Sequence, residues 1–169
     1  MAKRIIWGVV FILIAALLQS TVLSRLAIHI RAVPDLALCI LVFSAYVNGT
    51  MIGQLTGFFS GFFLDFLSSA PLGLNALVRT LIGAVTGYMK GTFFLDIVFL
   101  PMALCAGATV FKAAVYFLLH LLLAGTVPVY SFSNPVFWIE LGLNVFCAPF
   151  LFAFLKLFEP LLSEQRENA

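Results

Sequence analysis

Charge is what this sequence has least of. Only 9% of its 169 residues are Asp, Glu, Lys or Arg, where a soluble domain carries about a quarter. So few ionisable groups cannot cover a surface in contact with water, and a chain that is 63% hydrophobic is dissolved in lipid. The net charge of +2 leaves no electrostatic footprint for nucleic acid. Cysteine is scarce as well. Cys39, Cys105 and Cys147 each stand alone in an apolar run, with no C-x-x-C or other metal-type spacing. An odd number excludes a closed disulfide framework, and the three read as small hydrophobes.

Signatures of catalysis are missing too. There is no Walker motif, no dinucleotide fingerprint and no G-x-S-x-G, and Ser68 and Ser69 have no histidine nearby in sequence. His120 has no second His, Cys or carboxylate at ligand spacing on its own helix. The expectation is a protein that is not an enzyme and that takes no metal and no cofactor.

What the chain does have is apolar runs, and a membrane-spanning helix needs about 20 largely apolar residues. Six candidates follow one another, at about 5–23, 35–48, 51–67, 74–90, 95–123 and 136–158. The first follows Lys3 and Arg4 like a signal peptide, but "LLQSTVLSRL" holds no small-x-small cleavage site, so it reads as an uncleaved span. The fifth is longer than a bilayer requires and is expected to tilt or to extend past the lipid. No loop or tail is long enough for a soluble domain. Residues 1–169 therefore read as one transmembrane domain, an all-α integral membrane protein built as a six-transmembrane-helix bundle. Six spans put both termini on one side. With that side inside, Lys3, Arg4, Lys90, Lys156 and Arg166 are cytoplasmic, against Arg25 and Arg31 outside, which predicts cytoplasmic termini.

Glycine is distributed in two stripes. Gly53, Gly57 and Gly61 recur in steps of four and lead to Asp65; Arg79 leads to Gly83, Gly87 and Gly91 in the same steps. Residues four apart share one helix face, so each span should carry a smooth groove about 12 Å long that ends in a charge. Such grooves let backbones approach closely, which drives helix association where lipid supplies no hydrophobic force. Whether they serve a contact inside the bundle or one with a partner helix is open at this level. Asp65 and Arg79 flank the connection 68–75, in which Pro71 fixes a φ angle, Gly73 permits unusual backbone shapes, and Ser68, Ser69 and Asn75 offer turn and cap hydrogen bonds. A charge in lipid costs roughly 2.5–3.5 kcal/mol. Asp65 and Arg79 are therefore expected to approach each other, or to bond the freed backbone of the connection.

Further along, Lys112, Tyr116 and His120 recur at spacing four, and Glu140 and Asn144 form a similar row in the sixth run. Lys112 and Glu140 are expected to pair across a helix contact, although Lys112 has the alternative of snorkelling to the surface.

The segment "VPDLALCILVFSAYVNGTMIGQLTGFFSGFFLDFLSSAPLGLNALVRTLIG" resembles the bacterial rod-shape-determining protein family MreD. The likeness lies in Pro34 and Asp35 opening an apolar span, and in Asp65, Ser68, Pro71, Leu72, Gly73 and Asn75 of the connection, with Ser69 where a glycine is common. The resemblance implies a non-enzymatic scaffold of the cell-elongation machinery in the inner membrane. Its partners would be MreC, a single-span membrane protein, and indirectly the actin-like MreB and the peptidoglycan synthases. That family in turn is similar to the substrate-binding S components of energy-coupling-factor vitamin transporters, which are six-helix bundles. This supplies an alternative function, a vitamin-binding subunit, with Asp65, Asn75 and Arg79 as its polar groups. The Ala-x-x-x-Ala docking pattern of S components is missing, since Ala15 and Ala16 are followed four later by Gln19 and Ser20. A channel would need a polar path across the bilayer, and the few buried ionisable groups gather towards one half. If Asp65 and Arg79 pair directly, exchanging the two charges rescues a stability defect caused by either single change, as read by thermal unfolding in detergent.

Overall fold

The computed structural model describes residues 1–23, 32–68, 71–91, 98–123 and 134–158. Within them the chain forms six α-helices and, among the described residues, no strand: α1 (Ala2–Leu18), α2 (Leu36–Asn48), α3 (Thr50–Leu67), α4 (Leu74–Tyr88), α5 (Phe99–Leu122) and α6 (Pro135–Lys156). A π-helical segment, Gln19–Leu23, continues α1. The first residues of the 95–123 run lie outside the described residues, as do Arg25, Arg31, Ser69 and Arg166.

The arrangement grows from α2. Its 13 residues carry no charge, and every residue from Ala37 to Ala45 is buried. A helix that is apolar all round belongs in the interior, and α2 packs against all five of the other helices. At 1.5 Å per residue it is only about 20 Å long, well short of the roughly 30 Å hydrocarbon core of a bilayer.

Next to α2 the glycine stripes meet each other. A Cβ placed on Gly53 would lie 2.5 Å from the Gly83 carbonyl oxygen, and one on Gly61 would lie 2.5 Å from the Asn75 carbonyl oxygen and the Ala76 Cα. A Cβ on Gly57 would overlap the Arg79 carbonyl, and one on Gly87 would come within 2.6 Å of the backbone of Gly49 and Thr50. The α3–α4 seam is thus backbone on backbone, and both grooves are consumed inside the bundle. Gly91 departs from the expectation. It lies beyond the end of α4 with φ +73° and open space around its Cβ position, so it answers to the left-handed turn there and takes no part in the seam.

The outer helices carry the lipid-type surface. Ala2–Thr21, Phe99–Leu122 and Pro135–Lys156 are each long and apolar enough to cross a membrane by length and composition. The shorter α2 and α4 have 13 and 15 residues, and α3 has 18. Exposed Phe58, Phe62 and Phe66 form a ring-on-ring ladder along α3, with centroids 6.2 and 5.0 Å apart. Apolar surface on this scale is incompatible with water. The chain is a multi-pass membrane protein.

At the end of α1 the Ser20 and Thr21 hydroxyls donate to the Leu17 carbonyl at 3.0 and 2.7 Å. These bonds occupy a carbonyl where the α-helical ladder gives way to the π segment. Phe11 of α1 meets Phe158, just past α6, at 5.4 Å between ring centroids.

Gly57→Leu is expected to abolish the monodisperse folded protein in detergent, because the added side chain has only backbone to displace, at a cost of at least about 3 kcal/mol. Gly142→Leu, at an exposed glycine with open space around its Cβ position, should stay within about 0.5 kcal/mol of the parent. Size-exclusion chromatography and thermal unfolding read both.

Candidate functional site

The start of α2 is buried in the bundle at Asp35, Ala37 and Leu38, so its first N–H groups need a partner other than water. Asp35 provides it: its Oδ1 accepts the Leu38 N–H at 2.9 Å, an N-cap. The carboxylate is itself buried, 6% exposed, and requires cations. Arg79 of α4 donates Nη2 to Oδ1 at 3.2 Å, and Lys112 of α5 donates Nζ to Oδ2 at 2.7 Å. Lys112 also donates to Glu140 Oε1 of α6 at 2.9 Å. The structure therefore brings Lys112 and Glu140 together, and does so as part of a larger set. The four side chains hold two positive and two negative charges, a balanced cluster that joins α2, α4, α5 and α6. Neutral groups extend it. The Asp35 N–H donates to Asn144 Oδ1 at 2.7 Å, Asn144 Nδ2 donates to Thr109 Oγ1 at 3.0 Å, and Thr109 donates to the Cys105 carbonyl at 2.7 Å.

Asp65 has a different task. Its Oδ1 accepts the Asn75 N–H at 2.9 Å and Asn75 Nδ2 at 3.0 Å; its Oδ2 accepts the Gly73 N–H at 2.9 Å and the Ala76 N–H at 3.2 Å. One carboxylate at the end of α3 thus satisfies three backbone donors at the start of α4 and sits at the positive end of that helix. Gly73 makes this possible with φ +91°, and the Leu74 N–H closes the turn on the Pro71 carbonyl at 3.1 Å. Asn75 links the turn to the rest, since its Nδ2 also donates to Ser68 Oγ at 3.2 Å and its Oδ1 accepts from Tyr116 at 3.2 Å.

A direct Asp65–Arg79 pair, one of the two arrangements expected, is not formed. Asp65 is saturated by the backbone of the connection, and Arg79, lying deeper along α4, reaches across to α2. The residue that sequence reasoning left without a role of its own is Asp35. A Pro-Asp pair opening an uncharged run is a helix-start signal, and an acid there is a partner for any buried cation. Tyr116 was visible only as one step of a row, and its bond to Asn75 depends on how α5 lies against α4. Among the described residues no three His, Cys, Asp or Glu side chains come together as a metal-ligand set.

Two cavities adjoin the cluster. One of about 70 Å³ is enclosed by Asp35, Asn75, Arg79, Lys112 and Tyr116 with apolar neighbours. A larger one of about 380 Å³ opens between the end of α1, the starts of α2 and α4 and the end of α3, with Asp35 and Arg79 in its wall.

The sequence model of one family, described as rod shape-determining protein MreD, matches residues 2–158. No curated protein and no solved structure matches the chain.

Asp35→Ala should destabilise the protein by about 3–5 kcal/mol, since it strands the buried Arg79 charge and uncaps α2. Adding Arg79→Met should recover part of that loss, the non-additivity that marks a direct pair. Exchanging Asp65 with Arg79 should rescue nothing. Thermal unfolding of the three variants decides; rescue by the exchange would contradict the assignment of Arg79 to Asp35.

Proposed function

Since the chain belongs to the MreD family of rod shape-determining proteins, we propose that it acts as a non-enzymatic scaffold of the bacterial cell-elongation complex. In this reading it lies in the inner membrane with cytoplasmic termini, binds MreC, and through it supports MreB and the peptidoglycan synthases in lateral wall synthesis. The observation that carries the proposal is the family match over 2–158. Two features of the fold support it. The buried ionisable groups neutralise one another instead of presenting an acid, base or nucleophile to a substrate, as a structural ion network does. The glycine seam is filled by its own hairpin, so a single-span partner has to be met on the lipid-facing surface.

The α3 ladder of Phe58, Phe62 and Phe66 is the face best suited to that contact, because it is exposed, aromatic and carried on the rigid α3–α4 pair. An aromatic ridge offers large contact area at low conformational cost to an apolar helix, in keeping with association by packing in lipid. The second reading, a vitamin-binding transporter subunit, draws on the 380 Å³ cavity, whose volume falls in the range of small-molecule sites.

Replacing Phe58, Phe62 and Phe66 together by Ala should leave a folded, membrane-inserted protein that no longer co-purifies with tagged MreC and fails to restore rod shape in cells lacking the parent chain. Undiminished co-purification would remove this face from the proposal. Absence of any MreC with the parent protein, together with a retained vitamin-like molecule identified by mass spectrometry, would favour the transporter reading.

A further inference from the structure

We infer that the cavity of about 70 Å³ between α2, α4 and α5 holds ordered water, and that this water joins the ion cluster to the Asp65 turn. The place of the cavity comes first. Asp35, Arg79 and Lys112 on its wall belong to the ion cluster. Asn75 and Tyr116, on the same wall, belong to the hydrogen-bonded turn. Members of two polar networks thus border one small space.

The walls decide the occupant. An apolar cavity stays dry, but one lined by polar groups hydrates when a water finds about two to four partners there. Asp35, Arg79 and Lys112 keep 8%, 10% and 16% of their side-chain surfaces accessible. Among the described residues Asp35 Oδ2 accepts one hydrogen bond, from Lys112, and Asn75 Oδ1 accepts one, from Tyr116. Each of these oxygens has two lone pairs, so both can accept again. Arg79 Nη2 spends one of its two protons on Asp35. Water donates and accepts at once, and so serves both kinds of group without adding charge.

Other occupants fit less well. Arg79, Asp35, Lys112 and Glu140 already balance one another, so the space has no net charge to attract an ion. Size excludes an organic ligand. One water takes roughly 30 Å³ of the liquid, which leaves room here for about two. A bridging water is nearly as favourable as a direct hydrogen bond. It would let the turn closed by Asp65 and the cluster centred on Asp35 act as one network.

Two measurements on the detergent-purified full chain test this. The first is a structure of the chain held by an antibody fragment, at a resolution that shows ordered water. Density is expected for water within hydrogen-bond distance of Asp35, Arg79 or Lys112 on one side and of Asn75 or Tyr116 on the other. An empty cavity, or a water bonded to members of one network only, overturns the inference. The second is thermal unfolding of Val78→Ile, which adds a methyl group to the aliphatic part of the wall. Filling a dry cavity would raise the melting temperature. Displacing water strands polar groups instead, so a fall of at least about 2 °C is expected. A rise or no change overturns the inference. If Val78→Ile does not fold, the density in the parent chain decides alone. Neither readout depends on MreC binding, so this site and the scaffold reading can fail separately.

Discussion

A carboxylate that caps a helix inside the bundle is the constraint on which the remainder of this structure rests. The start of the central helix is buried among its neighbours, so its first N–H groups must be closed by a side chain. Asp35 closes them, and in doing so introduces a charge where an uncompensated ion is most costly. Arg79 and Lys112 then have to approach from two other helices, and Lys112 brings Glu140 from a third. Each member makes the next one tolerable. The cluster fixes the relative positions of α2, α4, α5 and α6 with a directional specificity that apolar packing in lipid does not supply by itself.

The other half of the design uses almost no chemistry. Along α3 and α4 the side chains are deleted, and the two backbones touch. Close contact of this kind gives dispersion energy and shape selection without any polar group. The hairpin and the ion cluster meet at one end, where Asp65 closes the start of α4 and Asn75 hands a hydrogen bond on to Tyr116. The result is a body with most of its polar chemistry turned inward and phenylalanine turned outward.

Much of this was legible in the sequence. The apolar runs are marked by composition alone, and the matched spacing of four in two neighbouring runs announces a seam, although only the packed structure shows that the seam is internal. Lys112 and Glu140 could be matched because one loop joins their helices. Arg79 and Asp35 could not. They are 44 positions apart with a whole helix between them, and nearest-neighbour reasoning offers Arg79 only the acid across the turn or the backbone of the connection. The ambiguity is physical. An acid after a helix can satisfy either a cation or the bare N–H groups of the next helix, and the left-handed Gly73 turn, which aims those groups at Asp65, is invisible until the backbone is traced. Gly91 shows the same limit in reverse: it keeps the period of four but falls beyond the point where α4 ends.

The four hydrogen bonds on Asp65 also bear on how the protein reaches the membrane. Without α4 the end of α3 would carry a carboxyl group with no donors, and without α3 the start of α4 would carry amide groups with no acceptor. Either helix alone would leave a polar end without its partner. Together they cancel each other's polarity and present glycine to glycine. The pair is therefore suited to leave the insertion machinery as one unit, with the Pro71–Gly73 turn crossing or staying behind as a single folded tip. The same carboxylate that shapes the finished turn would thereby set the order in which the chain is laid into the bilayer.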